Sequence, residues 1–357
     1  MSKADGMNYA PEGKPSKVVE EGQFVIAAVS LDHGHIYGMC NGLVEAGATL
    51  KWVYDADPER VEAFLQKYPQ AKAAETLEQV LEDESVQLVA AAAITSLRGP
   101  LGVRVMHSGK HYFTDKAPFT TLEQLEEARA AYEQTGKKYA VYYSERLHVE
   151  SAVYAGQLIE QGAIGRVVQV MGLGPHRLNA ASRPQWFFEK EQYGGIICDI
   201  GSHQAEQFLY FTGNKNATVT RSQIANYANK EYPELEDFGD MTLVGENGAT
   251  GYFRVDWLTP SGLGTWGDGR TLILGTEGYI EMRKYIDIAR DKEGDQLYLV
   301  NADGEQRMQL GGKVGFPYFG RLILDCLNGT EFAMTQEHTF KAAELSLLAQ
   351  KNAVRVE

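Results

Sequence analysis

Cysteine is scarce: three residues, Cys40, Cys198 and Cys326, in a chain of 357, with no CxxC spacing. An odd, sparse set excludes a disulfide framework and fits a reducing compartment, so a cytoplasmic location is expected. Apolar runs of membrane-spanning length are missing. The opening stretch MSKADGMNYAPEGKPSKVVEEGQ lacks the apolar core of a secretion signal. Positive charge is in deficit, with 34 Lys plus Arg against 48 Asp plus Glu and a net charge of −14. That balance argues against non-specific binding to nucleic acid or to an anionic membrane and leaves room for a local basic pocket for a phosphate. Internal repeats and low-complexity segments are absent as well.

What is present is length enough for two domains. The continuous apolar run Phe24–Leu31 (FVIAAVSL) reads as a strand buried on both faces, Leu50–Asp55 (LKWVYD) as a second strand ending in an acid and Val86–Ile94 as another buried strand, with helical stretches between them. Asp57-Pro58 reads as an N-cap with proline in the first turn, and Thr121 to Gly136 as a long helix with a glycine stop. Tyr139–Ser144 is a further strand. Strands alternating with helices to about residue 146 predict a doubly wound parallel sheet. Beyond it, longer strands with tight turns, including an Asn247-Gly248 hairpin signal, predict a mostly antiparallel sheet with few helices. The expected organisation is an arm over 1–22, a dinucleotide-binding domain over 23–146 and a substrate-binding and oligomerisation domain over 147–357.

The first crossover lacks the usual glycine fingerprint. Its turn reads Ser30-Leu31-Asp32-His33-Gly34-His35-Ile36-Tyr37-Gly38, and Gly34, Gly38 and Gly42 recur every four residues, a spacing that suits close helix packing. Asp32 would repel a phosphate unless it faces away. Asp55 ends the second strand, where an acid binds adenosine ribose hydroxyls and favours NAD over NADP. His33 and His35, with Asp32, offer metal-ligand chemistry as an alternative to simple hydrogen bonding, and a metal there would need further ligands from elsewhere. Asp199 and His203 in GGIICDIGSHQAEQ are four apart, so one helix would put a carboxylate and an imidazole on one face, a pair able to bind a hydroxyl and remove its proton.

Four segments in one order resemble the Gfo/Idh/MocA family, named for glucose–fructose oxidoreductase, inositol dehydrogenase and a rhizopine-catabolism protein. They are SGKHYFTDKAP (108–118), with Asp115 where the family has Glu and with an extra Ala117, GQLIEQGAIGRVVQV (156–170), GGIICDIGSHQAEQFLYFTG (194–213) and LGTEGYIEM (274–282). The resemblance implies an N-terminal Rossmann domain and a C-terminal α/β domain built on a large, open, mostly antiparallel sheet that forms the interface of a homodimer or homotetramer. It implies an NAD(P)-dependent dehydrogenase acting on a hydroxyl of a sugar, polyol or glycoside. By the same resemblance, His203 is the general base, Lys116 contacts the nicotinamide ribose and the reacting hydroxyl, and Asp199 fixes the hydroxyl or the imidazole.

Expected cofactor contacts are Asp32, His33, His35, Ile36, Asp55, Thr95 and Lys116. Expected substrate contacts are Lys116, Tyr143, Arg146, His176, Arg177, Trp186, Asp199 and His203, with Glu145 beside them. His107, His111, His148 and His338 read as structural or solvated. Two other functions stay open: redox-neutral glycoside cleavage or elimination with a tightly held NAD, and a metal-dependent member, using His33 and His35, that has lost the nucleotide.

Overall fold

The computed structural model describes residues 6–13 and 16–356; residues 1–5 and 14–15 of the expected arm lie outside the described residues. Contacts divide the chain into two units. The first joins Met7–Tyr142 to Phe316–Phe340; the second joins Gly6, Tyr143–Gly315 and 341–356.

In the first unit β1 (Val25–Val29), β2 (Thr49–Tyr54), β3 (Lys72–Ala73), β4 (Leu88–Ala91), β5 (His111–Asp115) and β6 (Tyr139–Tyr142) form one parallel sheet in the order β3-β2-β1-β4-β5-β6. Every residue of β1, β4, β5 and β6 is buried, which is why β1 (VIAAV) and β4 (LVAA) read as unbroken apolar runs, while β5 (HYFTD) buries polar side chains as well. The crossovers are α1 (His35–Glu45), α2 (Pro58–Lys67), α3 (Leu77–Glu82), α4 (Thr95–His107) and α5 (Leu122–Thr135). The N-caps of α2, α3 and α5 are Asp57, Thr76 and Thr121, each accepting a backbone N–H of the first turn, and Gly136 ends α5 in the left-handed region.

The glycine stripe of α1 works as a packing surface. A Cβ on Gly42 would strike the Phe319 ring, one on Gly38 the Tyr142 hydroxyl and the Tyr9 carbonyl, and one on Gly34 the Asn8 side chain and the Met7 carbonyl. Residues 7–10 of the arm therefore dock on the start of α1.

The second unit holds α6 (Ser144–Leu147), α7 (Glu150–Glu160), α8 (Lys190–Tyr193), α9 (Ile196–Asp199), α10 (Gly201–Thr212) and a nine-stranded sheet. Its strands are β7 (Val167–Pro175), β8 (Ala217–Ala225), β9 (Phe238–Gly245), β10 (Thr250–Asp256), β11 (Arg270–Gly275), β12 (Gly278–Arg283), β13 (Gln296–Asn301), β14 (Gly304–Gln309) and β15 (Val354–Arg355). The order is β14-β13-β12-β11-β7-β10-β9-β8-β15; only β7/β10 and β8/β15 pair in parallel. Alternation assigns the faces. Phe253 meets Phe208 of α10, with ring centroids 6.2 Å apart, and Thr271 donates to Gln207 of α10, so these residues mark the covered face. Tyr252, Leu272 and Leu274 point the other way and are exposed.

Candidate functional site

In the first unit, Asp32, His33, His35, Ile36, Asp55, Thr95 and Lys116 all follow the C-terminal ends of parallel strands, and so gather on one edge of the sheet. The strand order reverses between β1 and β4, the crevice where open α/β sheets bind ligands. The two helices that start there, α1 and α4, have no side-chain N-cap, whereas the other three crossover helices are capped. At the start of α1 the His35 N–H donates to His33 Nδ1 at 3.3 Å; two helix dipoles at a switch point fit the pyrophosphate of a dinucleotide.

The loop after β1 is tied down by its neighbours. Ser30 adopts a positive φ of 52°. The Leu31 N–H donates to Asp55 Oδ2 at 2.5 Å and the Asp57 N–H to Asp55 Oδ1 at 2.8 Å. Both oxygens of Asp55, expected on the ribose, therefore take backbone donors. Asp32 pairs with Arg60 at 2.5 Å, which offsets its charge.

His33 and His35 converge on Asp115. His35 Nδ1 is hydrogen-bonded to Asp115 Oδ1 at 2.9 Å, and His33 Nδ1 lies 3.3 Å from Oδ2. One ligating atom from each lies within 4.8 Å of the others, so the third group of this cluster is Asp115 rather than Asp32. Arg98, 1% exposed, donates to Asp115 Oδ2 at 3.3 Å and to the carbonyls of Ala93, Lys116 and Ala117. The Lys116 N–H donates to Asp115 Oδ1 at 2.8 Å. Burial would raise the Asp115 carboxyl, but His35 and Arg98 hold it well below the usual range. Burial and the neighbouring His35 push His33 well below an ordinary imidazole, which favours its neutral form. Arg98 thus supplies the positive charge that a metal ion would bring, and the cluster fixes the loop bearing Lys116.

The second unit carries the other predicted residues. The helix of Asp199 and His203 is interrupted: Asp199 ends α9, Ile200 keeps helical dihedrals, and His203 lies in the first turn of α10 with its N–H on the Ile200 carbonyl. Both are buried, His203 at 2% exposed. The Tyr143 ring stands edge-on to His203 with centroids 6.4 Å apart. Arg146 pairs with Glu206 at 2.5 Å and lies over the Tyr210 ring; Arg177 donates to the Pro260 and Leu263 carbonyls, tethering that loop. His176 Nδ1 is 3.2 Å from the Gly174 carbonyl, and its ring meets Trp257 edge-on at 5.4 Å. Trp257 in turn packs on Phe187 at 5.2 Å, next to Trp186, with Arg183 above both Phe187 and Trp257.

Under α10 lies a buried ion pair that no pattern announces. Glu145 Oε2 accepts from Lys284 Nζ at 2.8 Å, Gln204 Nε2 at 2.9 Å and Gln207 Nε2 at 3.4 Å. Burial would raise the Glu145 carboxyl; Lys284, then His203 and His176, hold it well below its ordinary value. Lys284, Gln204, Gln207, Trp257 and Arg98 were not singled out from the sequence. Their only signal is a polar residue inside a strand or helix whose neighbours are buried.

Comparison with known proteins covers both units. Residues 34–143 match the model described as "Oxidoreductase family, NAD-binding Rossmann fold", and residues 153–281 match the GFO/IDH/MocA C-terminal domain. A solved protein of Erwinia carotovora atroseptica is 52% identical, covering 94% of this chain and 100% of its own, with a TM-score of 0.91. D-xylose dehydrogenase of Paenarthrobacter nicotinovorans is 29% identical over 149 residues, 40% of this chain and 38% of that protein. The scyllo-inositol 2-dehydrogenase (NAD(+)) of Bacillus subtilis is 26% identical over 240 residues, 66% of each. The match therefore spans between 38% and 66% of these two curated relatives. No helix among the described residues is long and apolar enough to cross a membrane.

Proposed function

The chain belongs to the GFO/IDH/MocA oxidoreductase family, and from that premise we propose that it transfers a hydride between NAD and a hydroxyl-bearing carbon of a sugar or polyol. The observation that supports the redox reading is the pair of helix N-termini, those of α1 and α4, meeting at the sheet's switch point. NAD, when bound there, supplies the two-electron acceptor. His203 takes the hydroxyl proton, Lys116 stabilises the developing alkoxide by its charge, and Asp199 orients the hydroxyl or the imidazole. The carbon then loses its hydride and becomes a carbonyl. Three carboxylates, Asp32, Asp55 and Asp57, lie around the single Arg60 cation, which favours NAD over a cofactor with a 2′-phosphate.

A panel of neutral sugars and inositols with NAD+, read as nicotinamide absorbance, tests the reading. Turnover should appear with at least one of them and collapse in Lys116→Ala and His203→Ala; unaltered turnover in either variant overturns the assignment. The arm docked on Gly34 and Gly38 supports a second reading, a dinucleotide held through a redox-neutral cycle. Nicotinamide absorbance that persists through dialysis favours it. The exposed Tyr252, Leu272 and Leu274 on the open sheet face support a homo-oligomer, which light scattering would measure.

A further inference from the structure

Two side chains with opposite demands on a cofactor stand together at the end of β2. Rossmann sites that take NAD place an acid there for the ribose 2′-hydroxyl, and those that take NADP use a nearby arginine for the 2′-phosphate. This chain has both: Asp55 directly after β2, and Arg60 in the first turn of α2. Which cofactor the edge accepts therefore depends on what holds Arg60.

Arg60 Nη1 lies 2.5 Å from Asp32 Oδ1 and 3.7 Å from Asp55 Oδ1, and its Nε lies 3.4 Å from Asp57 Oδ2. The three acids are not equivalent. Asp55 takes the Leu31 and Asp57 N–H groups, one on each oxygen. A carboxylate has about four acceptor sites, so both oxygens keep a lone pair for ribose hydroxyls. Asp57 caps α2 by accepting the Glu59 N–H. Asp32 caps no helix and ties down no backbone: among the described residues, Arg60 is the one hydrogen-bond partner of its side chain. The acid nearest the guanidinium is thus the one with no other task.

The position of Asp32 fits that task. An acid in the turn after β1 repels a phosphate unless it faces away, and the ion pair turns its carboxylate across to α2. The cluster is open to a ligand, with the Arg60 side chain 38% exposed and that of Asp57 45% exposed. Three carboxylates around one guanidinium leave the patch negative. A 2′-phosphate is repelled by it and finds the cation already engaged, whereas a ribose hydroxyl, which is neutral, meets the free lone pairs of Asp55.

We propose that Asp32 is the residue that makes this chain select NAD: it holds the Arg60 guanidinium and so withholds from a 2′-phosphate the cation that would otherwise receive it. The proposal rests on the reading of this sheet edge as a dinucleotide site. Asp32 acts through Arg60 and is a positioning and specificity residue, distinct from the acid at the strand end.

Calorimetric titration of the full chain with NADH and NADPH, and with the adenosine halves 5′-AMP and 2′,5′-ADP, reads the preference without turnover. Wild type should favour NADH over NADPH and 5′-AMP over 2′,5′-ADP. Asp32→Ala should bind NADPH and 2′,5′-ADP roughly 10- to 100-fold tighter than wild type, the worth of one charge-assisted hydrogen bond. The ratio should narrow without reversing, because Asp55 remains. Asp32→Asn, which keeps an acceptor and loses the charge, should show a smaller gain in the same direction. The double variant Asp32→Ala/Arg60→Ala should lose the gain entirely. An unmoved ratio in both single variants, a gain that survives the loss of Arg60, or a wild type that binds NADPH as tightly as NADH overturns the role of Asp32. Any of these results with saturable NADH binding leaves the dinucleotide reading standing; failure of NADH, NADPH and both halves to bind wild type removes that reading and the proposal together.

Discussion

Asp115 and Glu145 are both buried acids set against a buried cation, Arg98 in one unit and Lys284 in the other, and both are held well below the ordinary carboxylate range. They differ in saturation. Asp115 Oδ1 takes the His35 ring and the Lys116 N–H; Oδ2 takes Arg98, with His33 beside it. Glu145 Oε2 takes three donors while Oε1 takes none. A saturated carboxylate can only hold its surroundings in place, whereas a half-saturated one still has an acceptor for a ligand. Burial and a depressed pKa are common to both, so neither property by itself separates a clamp from a binding site.

The largest expected effect is on chemistry in the second unit. His203→Ala should lower kcat/KM by roughly two to four orders of magnitude with an unchanged denaturant midpoint. A drop of less than tenfold would remove the proton-transfer role and with it the functional half of the contrast.

Neutralising each ion pair tests the contrast itself. Asp115→Asn with Arg98→Met removes the ties to the Ala93, Lys116 and Ala117 carbonyls as well as the charges, and should cost about 3–5 kcal/mol by urea unfolding. Glu145→Gln with Lys284→Met should stay within about 1.5 kcal/mol of wild type. Equal losses would mean that both pairs are structural clamps.

Two single groups, one in each unit, should answer pH oppositely. His111 in the first unit is lowered to about 4 by burial and then by Lys137 and Lys138. The folded state there holds fewer protons than the unfolded chain, so stability is full above pH 6.5 and is lost as pH falls towards 4, by up to about 3 kcal/mol. Asp295 in the second unit is raised to about 6 by burial and by Glu150, against the Ser151 N–H it accepts. Its folded form holds more protons, so stability falls as pH rises from about 4 to 6, by a similar amount. Relative to wild type, Asp295→Asn should gain stability between pH 4.5 and 7, and His111→Asn should gain it in the opposite direction. Parallel slopes for the two variants would remove the contrast. Gly42→Ala should cost about 1–3 kcal/mol by urea unfolding, through overpacking against Phe319, with sugar affinity unchanged.

Much of the first unit was legible in the chain. Its buried strands are apolar runs, and Asp57, Thr121 and Gly136 end their helices where side-chain chemistry requires. The spacing of Gly34, Gly38 and Gly42 did signal packing, because each faces a close neighbour. Less legible were the β13–β14 hairpin, where β14 is exposed along most of its length and has no alternation, and the helix Pro317–Asn328, which joins the first unit from far along the chain. Of the site, the Asp199–His203 spacing was visible in the chain, whereas Lys116 and the division of roles among the three rested on family resemblance. Asp55 was visible as a strand-end acid, but its two backbone donors were not, since the Leu31 N–H comes from the neighbouring strand's loop.

Local pattern determined the parallel sheet, the crossover helices and the change to an open sheet, because burial imposes a period of two, a period of 3.6 or a continuous apolar run on neighbouring residues. Only the tertiary structure decided which buried acid is saturated. Arg98 reaches Asp115 across 17 residues and Lys284 reaches Glu145 across 139, and the partners of a charge at such separations leave no periodicity in the chain.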